Sequence, residues 1–160
     1  ASGTATVTVV SGAATIASGS MEVAKVAPGL FSANSSGQGV ASGYVLRVKA
    51  DNSQRNEAIS SYDAGQAKFV AVPVDLGPAT DQVYLIIFGT GIRSRSSLSA
   101  VTFTLGGESI PILFAGPQGD FVGLDQINLL LPRSLAGRGE VDGVLTVDGI
   151  TANKIRLSLK

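Results

Sequence analysis

The chain contains no cysteine, no histidine and no tryptophan in its 160 residues. The missing cysteine rules out disulfides and thiolate ligands. The missing histidine rules out Ser-His-Asp and Cys-His nucleophile systems, and any imidazole metal ligand. Glycan platforms and cation cages lean on Trp and Tyr, and only Tyr44, Tyr62 and Tyr84 are present. Charge is scarce too: Asp, Glu, Lys and Arg make up 15%, against a usual share of about 25%. Twelve basic residues balance 12 acidic ones, for a net charge of +0. No excess charge draws the chain to nucleic acid or to an anionic membrane, and little repulsion keeps copies apart. The apolar run Val83–Phe88 falls far short of the roughly 20 residues of a membrane helix, so membrane insertion is not expected. No secretory leader is read in the sequence, so an exported form is expected to have lost it.

What is present suits a β protein. Hydrophobic residues reach 44% and mean hydropathy is +0.32, enough for one good core or two small ones. Almost every periodic segment alternates, and none carries a helical stripe. Thr4–Val10 and Met21–Val26 alternate, and Pro28-Gly29 then breaks the chain. Ser32–Gly39 reads as a loop, Ser42–Ala50 as a strand, Asp51–Asn56 as a polar turn and Glu57–Gln66 as ambiguous. Ala67–Leu76 reads as a strand whose Pro73 cannot donate to a ladder, which places it at an edge or strand end. Val83–Phe88 is apolar throughout, as expected of a central strand covered on both faces. Val101–Leu105 turns at Gly106-Gly107 into Ser109–Ala115. Leu124–Leu131 alternates up to Pro132, and Val141–Val147 pairs through Asp148-Gly149 with Lys154–Leu159. Strands every 8–12 residues are the spacing of a sandwich, with a small open barrel as the alternative.

The best internal boundary is Gly77-Pro78. It divides an N-terminal β region, 1–79, from a C-terminal one, 80–160. The first region comprises a hairpin over 1–26 and further strands and loops over 27–79. The hairpin has a counterpart at the other end, because Val7, Val10 and Gly12 align with Val144, Val147 and Gly149. A hairpin alone is marginal in water. Residues 1–26 therefore pack either on strands 42–50 and 67–76 of their own chain or on a neighbour.

Several motifs together resemble a known family. Val83-x-Leu-Ile-Ile-Phe-Gly-Thr-Gly-Ile92, Val101-x-Phe-x-Leu-Gly-Gly107, Ile127-x-Leu-x-Leu-Pro132, Gly139-x-Val141 and Leu145-Thr-Val-Asp-Gly149 are similar to an IPT/TIG domain. The resemblance spans residues 80–160 and implies an immunoglobulin-like β-sandwich with an additional N-terminal hairpin and strands. Val26-Ala-Pro-Gly-Leu-Phe31, Ala115–Gln126 and Leu131–Glu140 extend it over the whole chain. There it resembles an uncharacterised C-terminal β domain of large exported proteins of soil bacteria, whose preceding modules are often Ig-like repeats. This implies an extracellular or cell-surface setting, with residues 1–26 as the tail of a preceding Ig-like unit. It carries no catalytic residue.

Carboxylates are the only groups left for acid–base or metal chemistry. Asp120 and Asp125 flank the Gly119–Gly123 turn and are weak Ca²⁺ candidates; turn capping through Asx hydrogen bonds is the plainer reading. Asp51-Asn52-Ser53 lacks the alternating spacing and distal Glu of a Ca²⁺ loop. Gly89-Thr90-Gly91 with Arg93 and Arg95 has the composition of an anion-binding nest, but no P-loop Lys-Ser/Thr follows. No catalysis and no cofactor are expected.

Ala1–Val10 is uncharged, free of proline and rich in Thr and Val, which favour extended backbone. Thr4, Thr6, Val7, Val9 and Val10 are the expected interaction residues. Strand addition onto an open sheet edge of another copy would use main-chain hydrogen bonds for affinity and side-chain alternation for register. Such a head-to-tail contact does not close, so it gives a filament. The expectation is a non-catalytic exported structural protein, associating with itself or with other domains of the same protein. The alternative is an adhesion module for a surface glycan or a protein.

Overall fold

A computed structural model of the chain describes residues 2–160. It is all-β. In chain order the strands are β1 Gly3–Ser11, β2 Ala14–Val23, β3 Gly29–Leu30, β4 Gly43–Val48, β5 Gln54–Ala58, β6 Ser60–Asp63, β7 Lys68–Ala71 and β8 Gln82–Thr90. Then come β9 Val101–Leu105, β10 Glu108–Ser109, β11 Ile112–Pro117, β12 Asp125–Leu130, β13 Gly139–Val147, β14 Ile150–Thr151 and β15 Ile155–Leu159. Leu98–Ala100 and Arg133–Leu135 form single 3-10 turns.

The strands make two large antiparallel sheets. One runs β11-β12-β8-β4-β5, with β3 paired to the end of β8. The other runs β10-β9-β13-β14, with β15 along the first half of β13. β1–β2 and β6–β7 are separate two-stranded ribbons. Period-2 alternation puts Val83, Leu85 and Ile87 of β8 and Ile127 and Leu129 of β12 on one face. They share a single hydrophobic cluster with Phe103, Leu105, Leu145, Val147, Ile155 and Leu157 of the other sheet.

That cluster begins at Val26 and draws on both sides of Gly77-Pro78. β4 pairs directly with β8 across that turn, Val45 opposite Leu85. Residues 27–160 therefore share one core.

Segments between strands bind the sheets together. Val40 bridges Arg156 and Val74 bridges Leu159, both in parallel, so the outer edge of β15 is covered. The Asn153 side chain accepts a hydrogen bond from the Leu30 N–H at 2.8 Å and donates to the carbonyls of Leu30 and Gly37. The remaining core edges are blunted in the ways natural sheets use. β5 is polar, Gln-Arg-Asn-Glu-Ala. β10 has two residues. β11 carries a register shift between Ile112 and Phe114, follows Pro111 and ends in Pro117.

Several expected boundaries shift. The expected polar turn 51–56 is a turn only over 51–53, and residues 54–56 open the edge strand β5, because an edge facing water needs no apolar alternation. The expected strand 67–76 is β7 followed by a segment whose Val74 joins β15. Pro111 splits the expected strand 109–115 into β10 and β11.

Candidate interaction site

Among the described residues, the N-terminal hairpin stands outside the core of its own chain. It contributes no residue to the core cluster, and every residue from Gly3 to Val23 is exposed except the half-buried Ala5. Folding back onto strands 42–50 and 67–76 is not realised.

The register divides the hairpin into two faces. Directly opposed residues of an antiparallel pair project to the same side. Gly3 opposes Val23, Ala5 opposes Met21, Val7 opposes Gly19 and Val9 opposes Ala17, so one face is wholly apolar. Thr4 opposes Glu22, Thr6 opposes Ser20 and Thr8 opposes Ser18, so the other is polar. On the polar face the Thr4 hydroxyl donates to the Glu22 carboxylate at 2.6 Å. The apolar face lies open, with Val7 46%, Val9 50% and Met21 53% exposed.

A bulge lets Val10 pair with Thr15 while Val9 pairs with Ala17, leaving Ile16 as the extra residue. The five expected interaction residues thus do not form one surface. Val7 and Val9 lie on the apolar face, Thr4 and Thr6 on the polar face, and Val10 beyond the bulge. The residues that complete the apolar face, Ala17, Gly19, Met21 and Val23, belong to β2. Their period-2 alternation was the available signal, masked by small side chains. The likeness between the terminal hairpins holds at the turns, where Gly12 and Gly149 both have positive φ, 61° and 81°. It fails at the faces. Val7 is on the apolar face of its hairpin, whereas its aligned partner Val144 is half-buried between the core residues Gly143 and Leu145 of β13.

The Ca²⁺ candidates are not brought together as a site. Asp125 is 0% exposed. Its Oδ2 accepts the main-chain N–H groups of Ile92 and Arg93 at 2.7 and 3.1 Å, and its Oδ1 accepts from the Arg93 Nε at 2.7 Å. The Gly-rich loop is therefore an anion nest, and this chain's own carboxylate fills it. Register explains the meeting of groups 33 residues apart, because Asp125 opposes Gly89 in the β12–β8 pair. Asp120 is exposed and bonds to Gln118 through side chain and main chain. Asp51 accepts from the Ser53 N–H and hydroxyl, a turn cap. Among the described residues no group of three or more acidic side chains is placed to hold a metal ion.

A charge cluster around the buried Arg47 was not among the expected sites. Arg47 points inward from β4 and is 6% exposed. Its guanidinium donates to both Glu57 carboxylate oxygens at 2.8 and 3.0 Å, to Asp81 at 3.2 Å and to the Asp75 carbonyl. The hydrogen bond from Arg47 holds the Glu57 carboxyl below its ordinary range, and the same bond raises the Arg47 guanidinium. The cluster lines a cleft with Lys49, Arg55 and Lys160 at its margin. Every guanidinium nitrogen of Arg47 is engaged, so the arrangement pins the 75–81 segment to the sheet and leaves that cation no free donor pair for a ligand.

In comparisons with known proteins, no family model, no curated protein and no solved structure matches this chain.

Proposed function

We propose that the chain is a non-catalytic, exported or cell-surface structural module with an immunoglobulin-like β-sandwich core of the IPT/TIG kind, and that it associates with other copies through its N-terminal segment by strand addition. The observation that carries this reading is the exposed amphipathic hairpin. Two strands of 9 and 10 residues stand clear of the core with free outer edges, and β1 carries neither charge nor proline. A lone hairpin is marginal in water, and an exposed apolar face marks an interaction site. Two sheets enclosing one core support the sandwich, and its blunted edges direct strand addition to the hairpin's own edges. The test is removal of residues 1–23. The full chain is expected to gain mass with concentration in light scattering and to form filaments under the electron microscope, and the shortened chain to stay monomeric and folded. A full chain that is monomeric at every concentration contradicts the proposal.

A binding module is the second reading, favoured by one observation. Tyr44 and Phe88 form a tilted aromatic pair with centroids 6.2 Å apart on the outer face of the six-stranded sheet. Retention of the monomer on insoluble glycan supports this reading; no retention on any glycan counts against it.

A further inference from the structure

We infer that the outer face of the six-stranded sheet is the seat for the apolar face of the N-terminal hairpin of a second copy. The inference rests on the proposed association through the hairpin, names the surface that receives it, and takes face-to-face sheet stacking in place of strand addition as the contact.

β8 is apolar on both faces, as a strand covered on both sides should be, yet on one of them Tyr84 and Phe88 stay only half-buried. Val83, Leu85 and Ile87 enter the core. Tyr84, Ile86 and Phe88 project to the opposite side. Ile86 is 4% exposed and still lies outside the core cluster, so its neighbours on the sheet surface bury it. Tyr44 and Leu46 of β4 oppose Ile86 and Tyr84, and Leu130 of β12 opposes Tyr84 from the other side. This surface stays partly open to solvent.

The occupant follows from the rest of the chain. Among the described residues, a wholly apolar and open sheet face is that of the hairpin. Both faces are extended and free of charge. Residues 2–21 include no Asp, Glu, Lys or Arg, and neither do the outward-facing positions of β4, β8 and β12. Two such faces associate without desolvating an ion, and sheets stack face to face at about 10 Å.

In this structure the hairpin does not seat on its own chain: every residue from Gly3 to Val23 is exposed except the half-buried Ala5, and the chain enters the core only at Val26, with the Ala27 N–H fixed to the Gly91 carbonyl at 3.1 Å. Donor and acceptor are different surfaces, so the contact is heterologous and repeats from copy to copy.

Full-length variants test this. Val7→Asp with Met21→Asp blocks the donor, and Leu46→Glu blocks the acceptor. Each alone is expected to abolish growth of mass with concentration, and an equimolar mixture is expected to form 1:1 pairs, because each partner retains one open surface. Since Leu46→Glu strains the sheet, a second measurement uses single-cysteine chains in a background that has none. A Val7→Cys chain mixed with a Tyr84→Cys chain under diamide should give a mixed disulfide dimer well above a Val7→Cys plus Lys160→Cys control. Wild type that never assembles overturns the association itself, and this inference with it. Wild-type assembly that survives Leu46→Glu and is lost in the donor variant, with no mixed disulfide, overturns the acceptor face alone. A monomeric wild type retained on glycan and released by Leu46→Glu makes the face a glycan platform and overturns the inference.

Discussion

Arg93 and Asp125 form an ion pair at 2.7 Å in which the carboxylate is completely buried and the guanidinium reaches solvent. The same carboxylate receives two main-chain N–H groups of the 89–95 loop, so it closes the ends of β8 and β12 together.

Asp125→Ala therefore leaves buried donors unpaired. Such a loss costs about 1–3 kcal/mol, more when an ion is involved. Asp125→Asn keeps a carbonyl acceptor and should lose less. Urea unfolding of both variants ranks them, and equal loss in the two would contradict this account. Added Ca²⁺ is expected to leave the wild-type transition unchanged, because the Asp125 oxygens are already engaged.

The Arg47–Glu57 contact makes stability depend on acid. The folded-state Glu57 carboxyl titrates below its ordinary value of 4.5. Its contribution is present in full above that value and is lost as pH falls through the lower, folded-state one. Thermal melts from neutral pH downward should show the midpoint dropping in this acid window. Glu57→Gln should be less stable at neutral pH and flatter across the same window.

Gly91 holds the point at which the hairpin leaves the core. Its φ is +74°, and a Cβ there would lie 2.0 Å from the Ala27 carbonyl oxygen. Gly91→Ala must displace residues 26–30, costing more than the roughly 0.4–1 kcal/mol gained from a stiffer unfolded chain. Denaturant midpoints should show net destabilisation; a neutral variant would mean that Ala27 is not anchored there.

The core should not depend on the hairpin. Deleting residues 1–23 is expected to change unfolding free energy by no more than about 0.5 kcal/mol. Phe103→Ala, at a position 1% exposed, should cost about 3–5 kcal/mol. Calorimetry of the two variants separates these cases.

Much of the fold was legible in residue order, and the reasons are physical. Val83–Phe88 could only be a central strand, because six apolar residues exceed what one buried face requires. Gly106-Gly107 and Asp148-Gly149 reported their turns because positive φ is tolerated there. Strands without an apolar face were hard to read. β5 is polar because it is an edge, and β2 begins in small residues that carry little hydrophobic signal. Long-range pairings were not legible. Nothing local to Asp125 announces that register sets it against Gly89, and nothing local to Arg47 points to Glu57 and Asp81. The expected interaction residues were chosen along one strand, and a face is a property of two. Only the β1–β2 register groups Val7 with Gly19 and Val9 with Ala17.

The most direct test of the central claim, that the hairpin acts between chains, is light scattering of the full chain over a wide concentration series beside its Val7→Asp, Met21→Asp counterpart. The account predicts mass that grows with concentration for the first and a constant monomer mass for the second. A constant monomer mass for both would contradict it.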